Sequence, residues 1–340
     1  MRVGFNPNKD KVIASTDYFH QVIIPVHIPH QNDYFKDSFK ILQLCLESLF
    51  KTCHSKTYFS LINNGSCDEV VDYLNQLKLE GKIQEVIHTT AIGKLNAILK
   101  GIVGHDFTLI TISDSDVLFV EDWQEHTYKI YNSFPKAGVV SPVPSSKVLK
   151  QNTSSVIIDN FFSKRLKFTK VLDPKAMICF AKSIGKIDFY NTYHLDKYLT
   201  ITDGLQTTAV LGAGHFVATY RASIFEKSII KHTSFALGGK SEQLILDEPV
   251  NKLGYWRLST TLNLAFHMGN VFEPWMKNKI DELEGISNFD MKAPQLSRIS
   301  ESKFINFIKL KFLMRIIIFK TIWQLFLQYK GLSKTEAKHY

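Results

Sequence analysis

The chain has only four cysteines in 340 residues, Cys45, Cys53, Cys67 and Cys179, with no CxxC pair and no metal-like spacing to histidine. A disulfide framework and a zinc cage are therefore both excluded, and the thiols read as free in a reducing compartment. The first residues, MRVGFNPNKDKVIAS, contain no apolar core, so no secretory signal is expected. No uncharged apolar run approaches the roughly 20 residues that a transmembrane helix needs. There is no internal repeat. Net positive charge is also small over most of the chain. The net charge is +9, but residues 303–340 carry eight Lys/Arg against the single acid Glu336, which leaves +2 for the first 302 residues. A nucleic-acid binder would spread its basic residues over the folded body, so no nucleic-acid partner is expected.

What is present is a globular composition, 45% hydrophobic and 21% charged. The β-rich run QVIIPV at 21–26 precedes a helical stripe at 36–53 that carries Phe39, Leu42, Leu46, Leu49 and Phe50. YFSLI at 58–62 follows, then the turn NNGSCDE and a helix for which Asp68 is the expected cap. EVIHT, the helix GKLNAILKGI and the strand FTLITI at 107–112 complete the alternation. This order predicts a parallel, doubly wound sheet with ligands outside the carboxyl ends of its strands. The loops PVHIPH, NNGS and DSD all fall at that edge. Beyond Trp123 the pattern predicts a helix at 122–134 and a strand at 137–143; residues 144–200 are polar and poorly periodic.

Three constellations could carry chemistry. Asp114 and Asp116 flank Ser115 directly after a buried strand and project to one side if the backbone is extended. Hard divalent cations take such carboxylates together with phosphate oxygens. Without that context the same D-x-D is a solvated turn. His267, between Phe266 and Met268, suits either a metal ligand or a hydrogen-bonded core histidine. The pair Asp247-Glu248 before Pro249 suits either a general base or the acidic first turn of a helix.

VIIPVH, LINNGSCDE, GKLNAIL, LITISDSDVLF, GAGHFVATYRASIF, the acid pair and HMGN occur in an order that resembles GT-A glycosyltransferases of the family 2 type, over about residues 21–270. The resemblance implies a Rossmann-like, mostly parallel α/β sheet flanked by helices. It also implies an inverting transferase that uses a nucleotide-sugar donor, usually UDP-linked, with Mn²⁺ or Mg²⁺. By position it places Pro25 and His27 against base and ribose, Asn63 and Asn64 at the uracil, and Lys94 near the nucleotide. Asp114 would meet ribose or the metal's water, with Ser115 beside it in the donor site, and Asp116 and His267 would bind the metal. Gly214 and His215 would approach the donor sugar. Asp247 is the expected base and Glu248 the alternative.

The last segment, KFINFIKLKFLMRIIIFKTIWQLFLQYKG, is basic and apolar at once. It predicts a helical tail over 303–330 that lies on an anionic membrane, with Trp323 at the interface, or else packs on the catalytic body or a second subunit of a homo-oligomer. The expected plan is a lead-in (1–20), a nucleotide-binding half (21–118), an acceptor half (119–276), a linker (277–302) and this tail. The expected activity is hexosyl or N-acetylhexosaminyl transfer to a glycan or lipid-linked acceptor on the cytosolic membrane face. A sugar nucleotidyltransferase of similar fold, or a silent membrane-docked scaffold, is the alternative. The first of these would need a Gly-rich basic loop where PVHIPHQND stands.

Overall fold

The computed structural model describes residues 3–12, 16–226, 232–285, 291–297, 299 and 302–340, with the side chain of Lys303 outside the described set. The first strand, β1 (His20–Val26), is buried along its whole length. Its residues alternate between two cores, as the two-residue period of a strand requires. Val22, Ile24 and Val26 face α1 (Ser38–Thr52), whose Leu42 and Leu46 lie in the same cluster. Ile23 faces the other side, with Leu95 and Ile98 of α3 (Lys94–Ile102). A strand covered on both faces reads as a continuous apolar run, which is why QVIIPV lacks polar alternation.

β2 (Thr57–Asn64) and β4 (Leu109–Ser113) pair in parallel with β1, and β3 (Glu85–Thr89) in parallel with β2, in the order β3-β2-β1-β4. α2 (Asp68–Leu79) connects β2 to β3. Asp68 is its first residue and not its cap; Cys67 occupies the cap without a side-chain bond. β4 runs through a turn into the short β5 (Val117–Phe119), followed by α4 (Trp123–Ser133) and β6 (Ala137–Ser141).

The polar stretch 144–200 contains two strands that its weak periodicity hid, β7 (Leu166–Lys170) and most of β8 (Lys197–Thr202). With β9 (Thr208–Leu211), β10 (Val217–Arg221) and β11 (Trp256–Ser259) they extend one ten-stranded sheet, β3-β2-β1-β4-β10-β6-β11-β9-β8-β7. β10 runs antiparallel to both β4 and β6, β6 and β11 are parallel, and β9, β8 and β7 are antiparallel. The expected halves therefore share one sheet, which is continuous across the 118/119 boundary.

Two other expected boundaries move. A helix, Pro274–Asp281, straddles residue 276, and its Met276 and Ile280 are buried in the core of α1 together with Leu283. The start of the expected linker is therefore body; residues 286–290, 298, 300 and 301 of it lie outside the described residues. The tail is not one helix. Helical turns run over 303–317, with a wide π segment at Lys309–Leu313, and separate helices follow at Lys320–Tyr329 and Lys334–His339. Trp323, expected at a membrane interface, is only 4% exposed and packs with Phe326 in the core beneath β8, β9 and β11. Among the described residues no helix is long and apolar enough to cross a membrane.

Candidate active site

β5 forms a second, two-stranded sheet with β12 (Ala265–His267), antiparallel, pairing His267 with Val117. Residues 150 positions apart are thereby brought side by side, and the Met268 amide donates to the Asp116 carbonyl at 2.7 Å. His267 Nε2 then lies 3.4 Å from Asp116 Oδ2. The other ring nitrogen, Nδ1, is 2.9 Å from Ser183 Oγ. Ser183 already donates its single hydroxyl proton to the Phe180 carbonyl (2.8 Å), so it accepts from Nδ1–H. That assignment leaves the Nε2 lone pair directed toward Asp116. Phe216 and Phe180 hold the imidazole edge-on from two sides.

Asp114, Ser115 and Asp116 form a turn, the alternative to an extended segment. The two carboxylates consequently have different surroundings. Asp114 Oδ1 meets Lys94 Nζ at 2.6 Å. Asp116 Oδ1 is buried with no partner in the protein. Burial pushes the Asp116 carboxyl up to about 6; the Asp114 charge adds to the rise and Lys94 opposes it. Among the described residues no three His, Cys, Asp or Glu side chains converge as a ready-made cage, so the expected trio of Asp114, Asp116 and His267 reduces to an open pair, Asp116 and His267.

Lys94 stands at the first position of α3, where Gly93 adopts φ +92°. A Cβ on Gly93 would come within 3.0 Å of Ala236 and Phe235 backbone atoms, so glycine lets the 235–236 loop close on the start of α3. The Lys94 ammonium also reaches Glu242 Oε1 at 3.2 Å. Burial alone would lower its pKa, but Asp114 and Glu242 override this and raise it. Glu242 Oε2 lies 3.3 Å from His215 Nδ1, and His215 Nε2 lies 2.7 Å from Asp247 Oδ2. Arg257, fully buried, closes the line by donating to Asp247 Oδ1 and, at 2.6 Å, to the Ala213 carbonyl. Asp114, Lys94, Glu242, His215, Asp247 and Arg257 thus alternate in sign. Burial would lower the pKa of His215, but its bond to Asp247, and then that to Glu242, raises it to about 9. The His215 bond, with Lys94 nearby, holds Glu242 at about 2 against its burial.

A cleft of about 290 Å³ opens on Lys94, Asp114, Gly214, His215, Glu242 and His267. Neither expected base is among its lining residues, and Asp116 reaches it only through its neighbour His267. Asp247 is 2% exposed and covered by His215, and Glu248 pairs with Lys252 one turn along its helix. The acid pair is not a helix N-terminus either. Helix begins at 241 and passes through a π segment, Gln243–Asp247, in which the Glu248 amide bonds to the Gln243 carbonyl. The wide turn accommodates Pro249, whose ring would crowd a regular helix. It also brings Glu242 and Asp247 onto one side, although five residues is about 1.4 α-turns. Glu242 was missed because the adjacent acid pair is the louder signal; Arg257 was missed because nothing in RLST marks it as buried.

The remaining expected residues hold loops. Asn63 Oδ1 accepts from the Ser66 amide and Asn64 Oδ1 from the Ile92 amide, both side chains being buried. His27 is exposed and its Nδ1–H donates to the Asn64 carbonyl at 2.8 Å. Pro25 lies inside β1, past the last residue paired with β4. None of these four lines the 290 Å³ cleft.

A parallel β3-β2-β1-β4 edge that delivers a D-x-D turn to a charged cleft defines an α/β transferase of the GT-A kind. The model of Glycosyl transferase family 2 matches residues 25–227, and the chain belongs to that family. Curated proteins give no match. Among solved structures, a mannosyltransferase from Pyrobaculum calidifontis, in complex with GDP-Man and Mn²⁺, is 13% identical with a TM-score of 0.40, covering 73% of this chain and 56% of its own. TarS from S. aureus is 13% identical with a TM-score of 0.44, covering 94% and 50%. The chain therefore spans about half the length of these two proteins.

Proposed function

We propose that the chain is an inverting, metal-dependent glycosyltransferase that moves a hexosyl or N-acetylhexosaminyl group from a nucleotide-sugar, UDP-linked, to a hydroxyl of a lipid-linked or surface-polysaccharide acceptor. The observation that carries this reading is the unpartnered, buried Asp116 Oδ1 beside a histidine whose free lone pair faces the same place. Charge supports it as well. The six-membered line of alternating charges sums to zero, so Asp116, beside the cleft-lining His267, adds a negative charge with no counterpart, and a diphosphate would be repelled there without a cation. Asp116 and His267 would hold Mn²⁺ or Mg²⁺, which when bound stabilises the negative charge developing on a departing nucleoside diphosphate.

The chain's own groups do the rest. Lys94 and His215, both cationic, face the cleft and bind phosphate oxygens. His215 is protonated and so cannot act as the base, and Asp247 is covered. Asp114 and Glu242 are the carboxylates that open on the cleft; Asp114 belongs to the turn beside the metal pair, and Glu242 takes the proton from the acceptor hydroxyl as that oxygen attacks. In the free protein its proton affinity is too low for this task. Donor phosphate competes for Lys94, and each contact withdrawn from Glu242 makes it a better acceptor. Single displacement from the face opposite the diphosphate inverts the anomeric centre. The acceptor is reached at the cytosolic membrane face, through the basic C-terminal segment. Thermal denaturation with a panel of nucleotide-sugars, with and without Mn²⁺, tests this: a UDP-sugar should raise the melting temperature only with metal present. No nucleotide-sugar doing so would overturn the reading.

A further inference from the structure

Helical residues 303–317 are apolar on every side, a pattern that belongs to a helix covered all round. One stripe is covered: Asn306, Met314 and Ile317 are buried against the body. The opposite face is not. Phe304 is 70% exposed, Phe312 58%, Ile316 57% and, just beyond the helix, Phe319 66%. Lys311, Arg315 and Lys320 are exposed among these side chains, and no acid occurs between Ser302 and Thr335.

We infer that this outer face of residues 304–319 is a docking surface for an anionic lipid bilayer, the aromatic and branched side chains entering the headgroup layer while Lys311, Arg315 and Lys320 meet lipid phosphates. The inference rests on the membrane-side acceptor proposed above and narrows it. Of the six basic residues between 303 and 330, Lys309 is taken by Asp159 at 2.6 Å, and Lys330 is buried with its ammonium on the Asn160 and Ser163 carbonyls. Those two, and Trp323, belong to the body. Charge complementarity selects the occupant. An isologous second copy would set Lys311, Arg315 and Lys320 against their own counterparts, whereas anionic headgroups neutralise them. The face is also tied to the catalytic layer. The Asn306 side-chain amide donates to the Asn251 carbonyl (3.3 Å) and to that of Lys252, at the end of the helix that carries Glu242 and Asp247. A docked bilayer would thus hold the cleft at a fixed height above the headgroups.

The test is flotation of the full chain with vesicles of phosphatidylglycerol and phosphatidylcholine, or of phosphatidylcholine alone, at low salt. The chain should float with the anionic vesicles only. Lys311→Gln/Arg315→Gln/Lys320→Gln should lower the bound fraction at least about tenfold, because each basic residue multiplies partitioning about fivefold. Phe312→Glu/Ile316→Glu should abolish it, with circular dichroism and Mn²⁺-dependent nucleotide binding unchanged because both side chains are exposed. No flotation of the wild type, equal flotation with neutral vesicles, or wild-type flotation of either variant overturns the inference. So does a wild-type dimer in light scattering that Phe312→Glu/Ile316→Glu dissociates. Loss of nucleotide binding in the wild type would strike the transferase reading alone, since flotation does not require it.

Discussion

The cleft has two walls built from the same residue types and accounted for in opposite ways. On the wall of β5 and β12, a carboxylate and an imidazole are brought together by a three-pair ladder and left with an unpartnered oxygen and a free lone pair. On the wall of the 241–252 helix and β11, Asp247 lies deeper than Asp116, yet both its oxygens are engaged by Arg257 and His215. Burying an ionised group is costly unless it is paired and hydrogen-bonded. For Asp247 the second wall meets that cost internally, whereas Asp116 Oδ1 on the first leaves it unmet, which supports the ligand site proposed there. Carboxylate identity does not separate the two. Polar satisfaction does.

The sharpest way to break this contrast is to remove the unsatisfied carboxylate. Asp116→Ala should lower Mn²⁺-dependent affinity for the nucleoside diphosphate by at least about 100-fold, since even outer-shell partners of a metal are worth about 10- to 100-fold. The fold should survive, and the metal-free protein should melt no lower than the wild type, because an unpaired buried charge has been deleted. Calorimetric titration with and without Mn²⁺ reads the affinity; a metal response that persists would make DSD a mere turn.

Next in size is the pair Glu242→Gln and Asp247→Asn, both on the second wall, which separates the proposed base from the buried counter-charge of Arg257. Glu242→Gln should cut turnover about 100- to 10,000-fold with donor affinity little changed. Asp247→Asn leaves the Arg257 guanidinium buried without its counter-charge and should cost about 3–5 kcal/mol of stability. Chemical denaturation and single-turnover kinetics separate the two outcomes. If Asp247→Asn kept its stability and lost its turnover, the base expected from the acid pair would be the true one.

Legibility followed the same division. His215 was reached only through the family resemblance; the β-α-β alternation and the D-x-D after β4 could be read from local pattern, because strand burial and turn chemistry leave marks within a few residues. Glu242 could not, because its approach to His215 depends on a π segment, and that segment arises from Pro249 seven residues on. Arg257 lies among WRLS with no periodic cue, and only the packing of β11 against β6 and β9 buries it. β7 and β8 escaped because three of β7's five residues are polar and its partner strand is distant in sequence. The tail was legible as basic and apolar, but which of its faces met the body depended on Asp159, Asn251 and Lys252, far from it in sequence.

A smaller effect sharpens the account of the satisfied wall. His215 has a pKa raised from its ordinary 6.5 to about 9, so between those values the folded state binds more protons than the unfolded one. Its contribution to stability is therefore complete below pH 6.5 and is lost as pH rises through 9. With the side chain 27% exposed, solvent screening leaves about 2 kcal/mol of the unscreened figure. Denaturant midpoints from pH 6 to 10 should fall over this window in the wild type and stay flatter in His215→Gln. A flat wild-type profile would mean that His215 is neutral and available as a base.

The smallest predicted change tests whether the unsatisfied wall is poised or merely loose. Ser183 has one proton and gives it to the Phe180 carbonyl, so its oxygen is an acceptor for His267 Nδ1–H and nothing else on the ring. Ser183→Ala removes that acceptor, frees the imidazole to adopt the other tautomer and leaves the Phe180 and Phe216 rings as its sole restraint. Mn²⁺ affinity in the presence of nucleoside diphosphate should weaken about tenfold, the lower end for an outer-shell partner. Turnover at saturating metal should be nearly unchanged, because Ser183 touches neither sugar nor phosphate. Ser183→Thr, which keeps the hydroxyl, should recover most of the loss. If Ala and Thr behave alike, the 2.9 Å contact is packing, and His267 needs no orientation to do its work.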